Sequence, residues 1–397
     1  MKTNSNRILV ITQWQFEDPL VQTYTLPYVE IIQKITSCYP YVVTVGKNLN
    51  AISIKKKGKF ISIELPSSKT NLFLRWLLNI LSLWKIVRKK NIKIIHPWCT
   101  TAGAIGAILK IMNKGIILNI DSFEPHAESM VENKTWNKFG LKFKALFYFE
   151  KIEAKIANYL IFGADGMEKY IQQKYKIITK NYSVKPACVD LTAFSKEFLQ
   201  NKELSSKYNL EDKIVCVYAG KFGGIYLEDQ TFEFISKCEK YWGKDRFRFL
   251  LLSNVDNDYL KTKITGHGIE PSTCIKLFVP HKQVPLYLGL ANFAISPYKP
   301  VPSKRYCAPI KNGEYWAMGL PVVIPQNISV DSEIIKESGA GAILESLDEK
   351  GYTDAIKQID TIIKGKSRIE VYNQIRPLAE KYRNFNIAES VYRKIYG

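Results

Sequence analysis

The sequence predicts an α/β protein made of two Rossmann-like domains that face each other across a cleft. Short runs rich in β-branched residues alternate with helix-like segments, as in a doubly wound parallel sheet. This alternation begins a second time in the later half of the chain. With 397 residues, the chain is also too long for one ordinary core, so two domains are expected.

The first half contains strand-like runs separated by plausible helices, of which 23–35 is an example. A polar stretch over 195–210 ends this pattern, so we predict an N-terminal domain over 1–195. The predicted strands cover 8–12, 41–45, 92–96, 115–119 and 159–162, with a hairpin over 53–65 that turns at Lys57-Gly58.

The second half repeats the pattern, which predicts a C-terminal domain over 196–375. We expect the remaining segment, 376–397, to form a helix that packs back on the N-terminal domain. The predicted strands of this half cover 214–219, 247–253, 275–279, 293–296, 322–324 and 342–344.

The net charge of +20 is concentrated in the first half. Residues 1–190 contain 28 Lys and Arg against 13 Asp and Glu, whereas the rest contains 29 against 24. This predicts partners that are rich in phosphate or an anionic membrane surface.

Seven scattered cysteines without a C-x-x-C spacing indicate reduced thiols rather than disulfides or a zinc site. No apolar run approaches the roughly 20 residues of a membrane span, so we expect a cytoplasmic protein.

The stretch 309–323 (PIKNGEYWAMGLPVV) predicts a loop, a short amphipathic helix and a strand. Free backbone N–H groups at the start of such a helix attract anions. Within the helix, Glu314 can accept two hydrogen bonds from neighbouring hydroxyls, such as those of a ribose. The stretch is therefore a candidate site for the diphosphate and ribose of a nucleotide.

Two further segments make a resemblance specific. They are YAGKFGG at 218–224, after the first strand of the second half, and PACVD at 186–190, followed by Phe194. Together with 309–323 they resemble the nucleotide-binding domain of retaining GT-B glycosyltransferases of family 4, in order and spacing. The resemblance covers about residues 160–345, while the first 120 residues match only in the alternation of strands and helices. It implies the GT-B fold, a nucleotide-sugar donor in the second domain, retention of configuration, and a role in the biosynthesis of bacterial surface polysaccharides or lipid-linked glycans.

The resemblance also implies a donor site. Glycines would let the backbone approach the diphosphate, lysines would neutralise it, backbone groups would contact the base and sugar, and Glu314 would bind the ribose. The family's first signature glutamate is replaced here by Tyr306. The donor-binding candidates are Gly220, Lys221, Gly223, Val279, Pro280, Ala308, Ile310, Lys311 and Glu314.

Candidates on the acceptor side lie in two loops of the first domain, at the carboxyl ends of predicted strands, where open α/β sheets bind ligands. His126 can exchange a hydrogen bond with a donor sugar or a reacting hydroxyl, and Asp121 and Glu124 lie nearby in sequence. Trp14 is suited to stacking on a sugar, or alternatively to packing the domain. The catalytic candidates are His126 and Lys221.

The Asp-Asn-Asp sequence at 256–258 has the form of a metal-binding motif, but it is also common at helix starts. We predict that it begins a helix, and that the protein requires neither a metal nor a cofactor besides its nucleotide-sugar substrate.

The helix predicted over 72–90 is mostly apolar. It would either lie on an anionic membrane or be sandwiched in the first domain. From Lys55 to Lys93 there are eleven Lys and Arg against one glutamate, which favours membrane contact at the inner face of the cell membrane. A basic, aromatic segment over 134–151 adds support. The predicted polar stripe of the helix consists of Arg75, Asn79, Ser82, Lys85 and Lys89.

These observations predict a glycosyltransferase that moves a sugar from a nucleotide sugar to a glycan or a lipid-linked acceptor. An epimerase of nucleotide sugars with the same fold is an alternative, although it would need acidic residues or histidines around the sugar ring. A nucleic-acid-binding protein is a weaker alternative, because the chain lacks a recognition motif and no nucleic-acid partner is predicted.

Overall fold

The structure, a computed structural model, describes residues 7–47, 49–67 and 72–397. The chain forms two compact units, and each is an α/β domain built on a mainly parallel sheet. The first unit combines Met1–Pro186 with Asn386–Gly397, and the second unit is Ala187–Phe385. The predicted class of two parallel-sheet α/β domains is confirmed. The second unit begins at residue 187 and the chain returns to the first unit at residue 386, whereas the predicted domain limits were 195 and 375.

The first unit contains an eight-stranded sheet with the order β3-β4-β2-β1-β5-β6-β7-β8. Its strands are parallel apart from β3, which forms the predicted hairpin with β4. Gly58 at the hairpin turn has a φ of +55°, which favours glycine. The strands are β1 (Arg7–Ile11), β2 (Tyr41–Gly46), β3 (Ser53–Lys57), β4 (Phe60–Pro66), β5 (Ile92–Pro97), β6 (Ile117–Phe123), β7 (Tyr159–Phe162) and β8 (Tyr182–Val184).

Helices connect most of the parallel strands, whereas the chain passes from β2 to its parallel neighbour β4 through β3. A π-helical turn over Leu20–Thr25 precedes the first of these helices. The last helix of the chain also belongs to this unit and buries Ala388, Val391 and Tyr392. The helices are α1 (Leu26–Thr36), α2 (Leu72–Lys89), α3 (Cys99–Met112), α4 (His126–Glu132), α5 (Leu141–Ile156), α6 (Met167–Tyr175) and α15 (Phe385–Tyr396).

The second unit contains a six-stranded, entirely parallel sheet with the order β11-β10-β9-β12-β13-β14. The strands are β9 (Ile214–Ala219), β10 (Phe247–Leu252), β11 (Cys274–Leu277), β12 (Phe293–Ile295), β13 (Val322–Pro325) and β14 (Gly341–Leu344). The helices are α7 (Lys202–Lys207), α8 (Asp229–Trp242), α9 (Asn257–Gly266), α10 (Val284–Leu288), α11 (Ile310–Ala317), α12 (Asp331–Ser338), α13 (Glu349–Ile363) and α14 (Arg368–Tyr382).

Both faces of this second sheet are buried. Along β9, Val215 and Val217 belong to one apolar cluster, whereas Cys216 and Tyr218 belong to the cluster on the other side. Helices cover each face, which explains why the strands read as nearly continuous apolar runs.

Strand order places a site at the carboxyl end of β9. The chain continues from β9 to its neighbour β10, and it returns later to β12 on the other side of β9. Loops that follow such a pair of strands diverge and leave a crevice, which is the usual ligand position in open α/β sheets. The glycine loop after β9 and the loop after β12 are these two segments.

Candidate functional site

The glycine loop after β9 lies against the start of α11. A Cβ atom at Gly220 would come within 2.6 Å of Lys311 Cε and 2.8 Å of the Tyr218 hydroxyl oxygen. The backbone N–H of Ala219 also donates to the hydroxyl of Tyr315 on α11, at 3.0 Å. The two predicted halves of the donor site are therefore adjacent in the structure. A side chain at position 220 would prevent this close approach of the glycine loop to α11.

The ammonium group of Lys311 is fixed by aromatic residues. It donates to the hydroxyl of Tyr226 at 2.8 Å and lies 4.4 Å from the centre of that ring. The Tyr226 ring packs on Tyr298, with 4.9 Å between ring centroids. Burial acts to raise the pKa of Tyr226, but the charge and hydrogen bond of Lys311 outweigh it and lower that pKa. Lys311 is thus a preorganised positive charge at the loop.

The remainder of the glycine loop presents further lysines. Gly223 and Gly224 have φ angles of +76° and +59°. Lys299 donates to the carbonyl of Gly224 at 2.6 Å, whereas the side chain of Lys221 is exposed. Lys299 and Lys311 therefore both contact the segment that carries the predicted Lys221, and cations gathered at one segment favour an anion.

The N-terminus of α11 has no side-chain cap. Pro309 precedes it in an extended conformation, with φ −61° and ψ 109°, and Ala308 and Ile310 are partly exposed beside it. The first N–H groups of an α-helix have no partner within the helix, so they remain available to an anion. The predicted loop, helix and strand are confirmed as the loop before α11, α11 itself and β13.

Glu314 on α11 pairs with His281. Its Oε1 lies 2.7 Å from His281 Nε2, and the side chains are 9% and 32% exposed respectively. The hydrogen bond to Glu314 raises the pKa of His281, while burial acts in the opposite direction. His281 begins the turn that directly follows Val279 and Pro280, beyond the end of β11. The segment predicted to contact the base is therefore joined to the residue predicted to bind the ribose.

Under α11 lies a buried polar network. Asn312 donates to Asp331 Oδ2 at 2.7 Å, and Arg383 forms an ion pair with the same carboxylate. Burial raises the pKa of Asp331, although Arg383 opposes this. A Cβ at Gly313 would lie 2.7 Å from Val189 Cγ2, so Gly313 lets α11 pack closely on the 186–190 segment. This segment acts as a brace for the helix that carries Lys311 and Glu314.

Tyr306, where the resemblance departs, ends a 3-10 turn over Pro302–Tyr306 just before α11. Arg305 in that turn donates to the carbonyl of Ser329 at 2.8 Å and pairs with Glu333 at 3.1 Å. The neighbouring Lys304 side chain is buried. These contacts anchor the turn to the start of α12.

In the first unit, Asp121 is fully buried at the carboxyl end of β6. Its carboxylate lies 3.2 Å from Lys185 Nζ and 3.4 Å from His96 Nε2, and accepts a hydrogen bond from Tyr392 at 2.6 Å. Burial acts to raise the pKa of Asp121, but Lys185, His96 and Tyr392 together lower it to about 2. The prediction that Asp121 lies in a loop and faces an acceptor is corrected: Asp121 is part of β6, and Tyr392 of α15 covers its carboxylate.

His126, Glu124 and Trp14 lie at the same edge of that sheet and remain partly exposed. His126 Nδ1 is 3.7 Å from Glu124 Oε1. Next to His126, the N–H of Ala127 donates to Glu150 Oε1 at 2.8 Å. Burial raises the pKa of Glu150 to about 7. A buried acid on α5 thus holds the start of α4, where His126 lies.

The Asp-Asn-Asp sequence begins a helix, as predicted. Oδ1 of Asp256 accepts from the N–H groups of Asp258 and Tyr259, at 2.9 and 3.1 Å, and caps α9. Over the described residues, no three His, Cys, Asp or Glu side chains group together as ligands for a metal ion.

Helix α2 has one face on the domain and an apolar face in solvent. Ile80, Leu83 and Val87 are buried. Asn79, a member of the predicted polar stripe, faces the domain and donates to the carbonyl of Pro66 at 3.0 Å. The opposite face of α2 is exposed, so the helix is not sandwiched within the first domain. The exposed apolar side chains on this outer face are Phe73, Leu74, Leu77, Leu78 and Leu81. No helix in the described ranges is long and apolar enough to cross a bilayer.

No protein-family profile and no curated protein sequence matches the chain. Solved structures match along nearly its whole length. Sucrose-phosphate synthase from Thermosynechococcus elongatus is 12% identical with a TM-score of 0.74, over 98% of this chain and 99% of its own. WaaG, a glycosyltransferase involved in lipopolysaccharide biosynthesis, is 13% identical with a TM-score of 0.72, over 98% and 100%. Anabaena HepE in complex with UDP-glucose is 12% identical with a TM-score of 0.71, over 98% and 99%.

The chain has the GT-B fold. Three residues at the predicted donor site were not identified from the sequence: His281, Tyr226 and Tyr315. His281 and Tyr315 directly follow the predicted residues Pro280 and Glu314, and Tyr226 lies two residues after the glycine loop. Adjacency to a predicted residue was the available signal, since their contacts join segments that are distant in the chain.

Proposed function

We propose that this protein is a glycosyltransferase that uses a nucleotide sugar. The observation that carries the proposal is the meeting of Gly220 with Lys311, at the carboxyl end of β9 and one helical turn from Glu314. Backbone, ammonium and carboxylate groups are thereby gathered for a diphosphate and a ribose. The GT-B fold and the UDP-glucose complex of HepE give independent support.

In this proposal the second unit holds the donor. Lys221 and Lys311 neutralise the diphosphate, and the backbone of Gly220 and Gly223 approaches it closely. Glu314 accepts hydrogen bonds from the ribose. The N–H groups of Ala308, Ile310 and Lys311 face the phosphate and sugar, and Val279 and Pro280 contact the base through their backbone.

The reaction retains the anomeric configuration by attack on the front face of the sugar. The bond between the anomeric carbon and the diphosphate oxygen breaks, and a bond from that carbon to the acceptor oxygen forms. The proton of the acceptor hydroxyl passes to the departing diphosphate. Lysines and helix N–H groups stabilise the charge that develops on this leaving group, so the proposed mechanism requires no metal ion. His126, with Glu124 and Trp14, is the candidate to orient the acceptor hydroxyl or the donor sugar.

The acceptor in this proposal is a glycan or a lipid-linked glycan, and the enzyme works at the cytoplasmic face of a membrane. The exposed apolar face of α2 supports it, because the flanking chain is strongly basic and anionic lipids attract such segments. The exposed Phe139 and Leu141, near the start of α5, add a second apolar site beside lysines. WaaG offers an analogy through its part in lipopolysaccharide biosynthesis.

The test is binding and turnover of nucleotide sugars by the full chain. Calorimetry with UDP-glucose, UDP-N-acetylglucosamine, GDP-mannose and ADP-glucose, with and without EDTA, should reveal binding of one of them that EDTA leaves unchanged. K311Q should weaken that binding roughly tenfold or more, as expected for a lost charged contact, whereas K357Q on the exposed side of α13 should not. If none of the four binds, the proposal is wrong. Conversion of the nucleotide sugar to its epimer without any acceptor would instead favour an epimerase.

A further inference from the structure

His281 occupies a fixed position beside the carboxylate of Glu314. Its Nε2 is 2.7 Å from Oε1, while Oε2 has no hydrogen-bond partner among the described residues. The ring of Phe194 packs on the imidazole, with 5.7 Å between ring centroids. One carboxylate oxygen is therefore held, and the other remains for a ligand.

The charge balance of this pair matters for an anionic ligand. The Glu314 side chain is 9% exposed, so its negative charge is poorly screened and would repel a diphosphate nearby. A proton on His281 cancels that charge. Besides Glu314, the charged groups on the turn and on α11 are Lys282, beside His281, and Lys311. The segment of Phe194 adds Asp190, whose Oδ1 accepts from the N–H groups of Thr192 and Ala193, and Arg376 of α14 donates to the Phe194 carbonyl. Lys282 and Lys311 are cationic, so an arriving diphosphate supplies the negative charge that favours an imidazolium.

We propose that His281 is a positioning residue for nucleotide binding, which orients Glu314 towards the ribose and takes up a proton when the nucleotide sugar binds. This inference rests on the proposed function. The hydrogen bond to Glu314 raises the pKa of His281, so this contact favours the protonated imidazolium. Nucleotide affinity should then fall as the pH rises through the pKa of His281.

The experiment is calorimetry with UDP-glucose between pH 5.5 and 8.5, in pairs of buffers that differ in ionisation enthalpy. UDP-glucose is chosen because neither of its phosphates titrates in this range. The dissociation constant of the wild-type protein should rise roughly tenfold over the range, as a one-unit increase in a pKa on binding would produce, with proton uptake at neutral pH. H281Q should bind more weakly, without the pH slope and without the proton uptake.

H267Q is the matched control, because His267 lies in the same unit and also faces a carboxylate, that of Asp229 at 3.4 Å. It should keep the wild-type slope. Proton NMR of the four histidines in the wild-type protein gives a second measurement that needs no His281 variant, with H267Q assigning one signal. UDP-glucose should raise the pKa of one histidine.

An equal pH slope in H281Q and wild type, or the absence of proton uptake, would overturn this inference and leave the proposed function intact. Failure of the wild-type protein to bind any of the four nucleotide sugars would overturn the proposed function, and this inference with it.

Discussion

Lys311 Cε fills the space that a side chain at Gly220 would need, since a Cβ there would lie 2.6 Å away. The same Cβ would be 2.8 Å from the hydroxyl oxygen of Tyr218, whose ring is fully buried. A side chain at this position would require Lys311 to leave its contact with Tyr226 or the buried Tyr218 ring to shift. The contact between the glycine loop and α11 therefore depends on the absence of a side chain at Gly220.

G220A should weaken the binding of UDP-glucose roughly tenfold or more, because the loop must move away from α11, and small displacements at a binding site are costly. G266A is the control: nothing lies within 4 Å of a Cβ at Gly266, near the end of α9. Alanine in that helix should leave the affinity unchanged and stabilise the protein slightly. Calorimetry and thermal unfolding give both quantities, and normal binding by G220A would contradict close approach of the loop to the ligand.

E314Q should reveal whether the carboxylate contacts the ribose. A hydrogen bond to a charged group contributes about 1.5–3 kcal/mol, so binding of UDP should weaken roughly tenfold or more. If the ribose hydroxyls are the partners, 2′-deoxy-UDP should lose less affinity than UDP on this substitution. E337Q on the exposed side of α12 should change neither. Equal losses for the two nucleotides would place Glu314 away from the 2′-hydroxyl.

Stability should depend on pH through Glu150. Its pKa of about 7 exceeds the ordinary value of 4.5, so the folded protein binds a proton that the unfolded chain releases between these values. The stabilisation is complete below pH 4.5 and is lost as the pH rises to about 7, by roughly 3 kcal/mol. Urea unfolding should therefore show wild type losing stability relative to E150Q over this interval. E17Q, on an exposed loop, should follow the wild type. A constant difference between wild type and E150Q would contradict the raised pKa.

Removal of the Tyr392 hydroxyl should destabilise the first unit. In Y392F, the buried Asp121 carboxylate loses a hydrogen bond of 2.6 Å, which corresponds to about 1.5–3 kcal/mol. Chemical denaturation measures this change. Y148F alters an exposed tyrosine on α5 and should change stability by less than about 0.5 kcal/mol. Equal stability of the two variants would mean that the network around Asp121 does not depend on α15.

Membrane contact should depend on the outer face of α2. Phe73 and Leu74 are 75% and 53% exposed, so replacing both with serine removes apolar surface with little effect on folding. Sedimentation with vesicles containing phosphatidylglycerol should show binding that falls roughly tenfold in the double variant and weakens with salt. I178S changes a residue that is 76% exposed elsewhere in the first unit, and it should bind like the wild type. If the double variant binds equally well, α2 is not the membrane contact.

The sequence predicted what depends on local order and missed what depends on distant contacts. The helix with Lys311 and Glu314 was predicted correctly because its boundaries are set by neighbouring residues and periodicity. His281 was missed because its bond to Glu314 joins a turn after β11 to α11. Asp121 was expected to be accessible, since strand order alone does not reveal that Lys185 and Tyr392 cover it.

Helix α2 shows a related limit. Periodicity identified two faces of the helix, but it did not determine which of them would lie on the domain. The structure places Asn79 inward, where the carbonyl of Pro66 needs a donor, and leaves leucines outside. Asn79 faces inward because it donates a hydrogen bond to the backbone carbonyl of Pro66, and a hydropathy pattern contains no information about such a contact.

The return of α15 to the first unit has a consequence for synthesis on the ribosome. Tyr392 and Tyr396, which bond to Asp121 and His96, are translated after the entire second unit. The first unit therefore cannot complete its fold, and the charged cluster around Asp121 remains uncovered, until residues 386–396 have been synthesised. A chain released after residue 385 would contain all of the second unit but would lack the helix that completes the first unit.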